Sequence, residues 1–231
     1  MKLASITAIG LCVSFTANVF AGTITGNVKA EGKPEVEAAA TGGKYDSRKY
    51  KFVERVNYGE LRDFVIYIDG PVSGVTNAPE TLRVETRRVQ QQGATFVPHV
   101  LPVMAGTTVE WPNKDEIFHN VFSMSETKPF DLELYKGNPK DKRVTFDKAG
   151  RVDVFCSIHA NMNCVVLVVE NPFFAVTDDT RRYTIPNVPA GTYKLKAWHE
   201  RLPAQTQEVT VPTNGEVKVN FTLGIKNLPK I

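Results

Sequence analysis

His119 sits in one apolar stretch, and 37 residues later comes the run Cys156-Ser157-Ile158-His159-Ala160-Asn161-Met162. A thiolate, two imidazoles and a thioether form the donor set of a mononuclear copper centre, with a trigonal His2Cys plane and a weak axial Met. Soft sulfur and borderline nitrogen suit copper in both oxidation states. A geometry that neither state strongly prefers changes little when an electron arrives, so transfer is fast. Cys156 supplies the thiolate, because only deprotonated sulfur binds metal. His159, three residues on, falls on a loop where an imidazole edge reaches solvent and serves as an electron port. Met162 is the axial thioether. Met124 competes for that role, but it follows His119 by five positions and on a strand points to the opposite face.

Each residue also has an ordinary reading. A single histidine near a strand end is usually solvent-facing or simply hydrogen-bonded. Cys156 and Cys164 lie eight residues apart, close enough to face each other across a hairpin as a disulfide. The combination with His119, His159 and Met162 favours copper and leaves Cys164 as a small buried thiol. His99 reads as a surface or hydrogen-bonded histidine away from the ligand loops, and His199 as a structural one. Asp178-Asp179 is a turn signal. The Arg87-Arg88 pair and the basic run 140–143 read as solvated faces.

The elements that must carry these residues read as strands. Nearly every apolar run is short, β-branched and bounded by Gly, Pro, Asn or Asp, which predicts an all-β chain. Strands are expected over 23–30, 63–69, 82–89, 95–104, 107–111, 120–124, 143–147, 150–156, 164–170, 173–177, 182–185, 192–199, 207–211 and 216–223. The stretch 34–58 has no firm period and reads as a loop with one short helix over 53–58.

Residues 1–21 have the form of an export signal: Lys2, an apolar core over 6–15, and the cleavage site Val19-Phe20-Ala21. That core is too short to span a bilayer. Leu11 before Cys12 is wrong for lipoprotein cleavage, so the expected location is a bacterial periplasm. Losing Lys2 lowers the net charge of +3 by one. So small a charge excludes nucleic acid or an anionic membrane as the principal partner.

From about 82 to 170 the wording resembles the plastocyanin, azurin and amicyanin cupredoxins. It runs Phe96-Val97-Pro98, then Val103-Met104-Ala105-Gly106-Thr107-Thr108-Val109-Glu110-Trp111, Asn113-Lys114-Asp115, His119-Asn120-Val121 and the Cys156 loop. The resemblance implies a Greek-key sandwich with one type 1 copper between loops at one end. The Cys-x2-His-x2-Met spacing is most like amicyanin. It also implies that Asn120 ties the two ligand loops together, and that Phe118, Val121 and Phe155 make the surroundings apolar. The wider wording, through Trp198-His199-Glu200, resembles bacterial proteins labelled methylamine utilization proteins.

The tail from 173 to 223 resembles the carboxypeptidase regulatory-like, or transthyretin-like, sandwich through Ala175-Val176-Thr177-Asp178-Asp179 and the run from Tyr183 to Tyr193. The opening pieces of that module stand at the other end of the chain: Gly26-Asn27-Val28, Gly32-Lys33-Pro34 and Phe64-Val65-Ile66-Tyr67-Ile68. The expected organisation is a signal peptide over 1–21, strands of a smaller outer β-sandwich over 22–80, an inserted cupredoxin over 81–171, and the rest of the outer sandwich over 172–231.

Three readings follow. The first is a periplasmic, non-enzymatic carrier of single electrons. It docks transiently on a redox protein or dehydrogenase through Ile158, Ala160 and Pro98 around the His159 port. The second is a copper carrier or buffer using the same ligands. The third is an adhesive or carbohydrate-contacting β module with a Cys156–Cys164 disulfide and no metal.

Overall fold

Alternation of branched apolar and polar residues produces strands wherever the chain is described. The computed structural model describes residues 21–32, 57–72 and 86–224. The export segment, most of 34–58 with its expected helix, and the start of the 82–89 strand lie outside those residues. Within them, all regular structure is strand. The first elements are β1 (Ala21–Ala30), β2 (Val65–Ile68), β3 (Arg87–Arg88), β4 (Gln90–Gln91), β5 (Phe96–Val97), β6 (Val100–Met104), β7 (Thr107–Glu110), β8 (His119–Ser123) and β9 (Phe130–Tyr135). They continue as β10 (Arg143–Phe146), β11 (Gly150–Phe155), β12 (Asn163–Val169), β13 (Phe174–Val176), β14 (Arg182–Pro189), β15 (Gly191–His199), β16 (Leu202–Val211), β17 (Glu216–Lys218) and β18 (Phe221–Leu223).

Several of these depart from expectation. The run 95–104 divides into β5 and β6 at Pro98, which has no N–H to give a ladder. The run 216–223 divides into β17 and β18. β9 is an addition to the expected strands, although Phe130-Asp131-Leu132-Glu133-Leu134-Tyr135 alternates apolar and polar residues. Its charged half looks like a loop, and Glu133 takes a left-handed φ of 58°.

The strands build around two cores. One contains Val89, Phe96, Trp111, Val121, Tyr135, Phe146, Val152, Val154 and Val166, together with Cys156, Met162 and Cys164. Its main sheet has the order β6-β12-β11-β8-β9, with β10-β7-β3 facing it. The other core contains Ile24, Val28, Phe64, Ile66, Ile68, Ile185, Leu195 and Phe221. It lies between the β14-β1-β17 sheet, with β18 also on β1, and the sheet β13-β2-β15-β16. Thus, among the described residues, β1 and β2, early in the chain, pair only with strands that follow Met162.

The two lobes meet back to back. Inward residues of β12 (Cys164, Val166, Val168) face the first core, while Leu167 and Val169 face outward. Those two pack with Val65 and Val100, against Tyr67, Phe174 and Trp198 of the second lobe. At Gly26 the second lobe leaves no room for a side chain. A Cβ there would overlap the Val219 carbonyl oxygen, where β1 passes from β17 to β18.

Candidate metal centre

Strand β8 turns His119 inward with Val121 and Ser123, and its ring is fully buried. Strand β11 ends at Phe155, so Cys156 is the first residue of the loop and is buried at its mouth. The loop closes on itself. The Cys156 N–H donates to the Met162 carbonyl at 3.1 Å, and the Met162 N–H to the His159 carbonyl at 3.0 Å. This tight return brings His159, partly exposed, over the buried sulfur.

Three donor atoms from two separate segments converge. His119 Nδ1 and His159 Nδ1 lie 3.1 Å apart; Cys156 Sγ is 4.0 Å from the first and 3.7 Å from the second. A triangle with these sides has a centre about 2.1 Å from every corner, inside the range of roughly 2.0–2.3 Å for metal–nitrogen and metal–sulfur bonds. One thiolate and two imidazoles around such a point fit a soft, borderline transition-metal ion. No other group of three His, Cys, Asp or Glu donors gathers this way among the described residues.

The surroundings fix the donors. His119 Nε2 lies 2.8 Å from Asp115 Oδ2, so Nε2–H donates to the carboxylate and the Nδ1 lone pair is left facing the centre. Asp115 is gripped in turn by the N–H groups of Gly93 (2.7 Å) and Ala94 (2.9 Å). Those amide bonds, Ala94 foremost, with help from His119, hold its carboxyl below the usual carboxylate range. Sequence reasoning misses this role of Asp115. The signal is its place four residues before His119, close enough to reach the ring across a short turn.

Asn120, expected to tie the ligand loops together, accepts at Oδ1 from the Ser157 N–H (2.7 Å) and the Ser157 hydroxyl (2.9 Å). Met162 is buried in the same core as Cys156, at 1 % exposure, whereas Met124 is 84 % exposed. Cys156 and Cys164 are both free thiols, which removes the disulfide reading. Cys164 lies opposite Val154 inside the sandwich, and burial pushes its thiol well above the ordinary range.

Of the other expectations, those for Phe118, Phe155 and His99 need correction, and those for His199 and Asp178 hold. Of the apolar surroundings, only Val121 is buried. Phe118 and Phe155 are 58 % and 42 % exposed, because both lie on the outward side of their segments. His99 is not away from the loop: its Nδ1 lies 3.2 Å from the Asn163 carbonyl, next to Met162. His199 is buried against Phe64, ring centroids 4.7 Å apart, and accepts from the Arg201 N–H. Asp178 caps its turn by accepting from Thr180 and Arg182.

Set beside known proteins, residues 83–169 match the profile of a family described as copper binding proteins, plastocyanin/azurin family. Over that span the chain is cupredoxin-like. Residues 168–219 match a second profile, described as polysaccharide lyase family 4, domain II. No curated protein matches the chain. Among solved structures, a novel purple cupredoxin from Nitrosopumilus maritimus is 25 % identical over 36 % of this chain and 98 % of its own, with a TM-score of 0.30. A point mutant of amicyanin, in its reduced Cu(I) form at pH 4, is 22 % identical over 46 % of this chain and 98 % of its own, with a TM-score of 0.33. A Cu-containing nitrite reductase from Thermus scotoductus SA-01 is 30 % identical over 37 % of this chain; the match spans 22 % of the reductase, with a TM-score of 0.34.

Proposed function

We propose that the protein is an exported, periplasmic carrier of single electrons with one type 1 copper held by His119, Cys156, His159 and Met162. The observation that supports this most is the common point about 2.1 Å from the three donor atoms. Copper, when bound, supplies a one-electron couple. The protein supplies the rest: Asp115 and Asn120 hold the donors at fixed separations, and buried Val121, Val154 and Met162 keep water from the inner side.

On the outer side, His159 is the port. Exposed apolar residues lie near the ligands in sequence: Ile158 (53 %), Phe118 (58 %) and Ile117 (50 %), with Val97 and Pro98 also exposed. A small apolar surface suits a transient contact with a periplasmic redox protein or dehydrogenase. The proposal assigns no reaction of its own to the chain. It reads residues 22–80 and 172–231 as one discontinuous, carboxypeptidase regulatory-like sandwich around an inserted cupredoxin at 81–171, in the manner of methylamine utilization proteins.

Voltammetry and self-exchange kinetics on the copper-loaded mature protein test the function. A reversible couple with fast self-exchange is the expected result. A slow, poorly reversible couple contradicts electron transfer and favours the copper carrier built from the same ligands.

A further inference from the structure

His99 lies between the lobes and touches both. Its Nε2 is 2.9 and 3.0 Å from the two carboxylate oxygens of Glu200, and its Nδ1 is 3.2 Å from the Asn163 carbonyl oxygen. A carboxylate and a carbonyl can only accept, so both contacts are made at once when both ring nitrogens carry a proton. The His99 carbonyl also accepts from the Val165 N–H at 2.8 Å, just where the parallel pairing of β6 and β12 begins.

Both ends of this bridge are held. Asn163 directly follows Met162, whose carbonyl takes the Cys156 N–H, so it stands at the foot of the metal loop. Glu200 sits at the tip of the β15–β16 hairpin. There Arg151 of β11 donates to its carbonyl at 3.1 Å and lies over the Trp198 ring at 5.8 Å, while buried His199 packs on Phe64. The ion pair is half open to water, and its net stabilisation is small. What it fixes is geometry.

We propose that Glu200 and His99 are positioning residues through which the second lobe holds the foot of the metal loop, and with it Met162. This rests on the reading of the Cys156 loop as the copper loop. Nothing in a cupredoxin sandwich alone would supply Glu200.

Two measurements on Glu200→Ala, with Glu200→Gln as the conservative control, test the proposal. In metal-free protein, amide hydrogen exchange at Met162 and Val165 should quicken by about threefold or more, as expected for losing a half-exposed charged contact, while amides of β1 and β14 stay unchanged. Glu200→Gln, which can still accept from His99, should recover part of the protection. In copper-loaded protein, Glu200→Ala should shift the reduction potential and the thiolate-to-copper absorption without releasing the metal. Exchange confined to wild-type rates, or quickened equally across both lobes, overturns the proposal. A wild-type protein that binds no copper at Cys156 refutes the site assignment instead, and the exchange measurement still decides whether the second lobe holds the loop.

Discussion

Asp115 illustrates how few side chains the site needs and how each is itself held. Two backbone amides fix the carboxylate, the carboxylate fixes the His119 tautomer, and the tautomer points a lone pair at Cys156 and His159. Replacing Asp115 by Ala frees the ring to rotate and removes the charge behind it. Copper affinity should fall by about 10–100-fold, measured by competition with a chelator of known affinity. Asn120 carries a different load. Asn120→Ala removes the acceptor shared by the Ser157 N–H and hydroxyl; Ser157 is exposed and water can replace it, so the cost is roughly 0.5–1.5 kcal/mol of stability. Denaturant unfolding of the metal-free protein measures that loss. Val121 at the core and Phe118 at the surface, three residues apart, show that being apolar near a ligand does not by itself make a residue part of a dry pocket.

Among the elements, β1 is held on both sides. It pairs antiparallel with β14 on one side and parallel with β17 and then β18 on the other, and Gly26 marks the crossing. Gly26→Ala would press a methyl into the Val219 carbonyl oxygen, so β1 or β17 must move. A loss of about 2–3 kcal/mol follows from overpacking, seen as a fall in Tm of roughly 5–10 °C for a chain of this size. Most strands are legible because period-two alternation and turn residues survive in a single sequence. The inward His119 and the loop position of His159 follow from that alternation. β9 is not legible, because an edge strand with one face in water carries acidic residues that also suit loops. The exposure of Phe118 and Phe155 escapes the sequence for a related reason: alternation says that faces differ, and only the packed sheet says which face is covered. Asp115 acts on His119 through a turn whose shape depends on Gly93 and Ala94 at left-handed φ, some twenty residues earlier.

At the scale of the whole molecule, the interface between lobes decides whether they unfold together. Leu167 is buried at its centre. Leu167→Ala should cost about 2–5 kcal/mol and separate a single calorimetric transition into two. The Glu200–His99 pair at the edge makes the joint pH-dependent. Hydrogen bonding to Glu200, opposed by partial burial, raises the His99 pKa above its ordinary 6.5, and the same bond lowers that of Glu200 below 4.5. Asp63 also favours the imidazolium, and Arg151 and His199 favour the carboxylate. The raised histidine stabilises fully below 6.5 and loses that effect as pH rises through its folded value. The lowered carboxyl stabilises above 4.5 and loses its effect as pH falls through its own. The stability gap between wild type and Glu200→Gln should therefore be widest between 4.5 and 6.5 and close on either side, as read by denaturant midpoints across that window. His199 acts in the opposite sense: burial lowers its pKa, so it favours folding above 6.5, and because the Glu200 charge partly offsets that lowering, Glu200→Gln deepens it and adds to the gap below 6.5.

The claim on which the rest depends is that His119, Cys156 and His159 grip one ion. X-ray absorption fine structure at the copper edge, recorded on copper-loaded wild type beside Cys156→Ser, measures this directly. The wild type should show one short sulfur and two imidazole nitrogens within about 2.0–2.3 Å, and the serine variant should lose the sulfur shell. A wild-type spectrum with only oxygen and nitrogen neighbours, or one that Cys156→Ser leaves unchanged, contradicts the account.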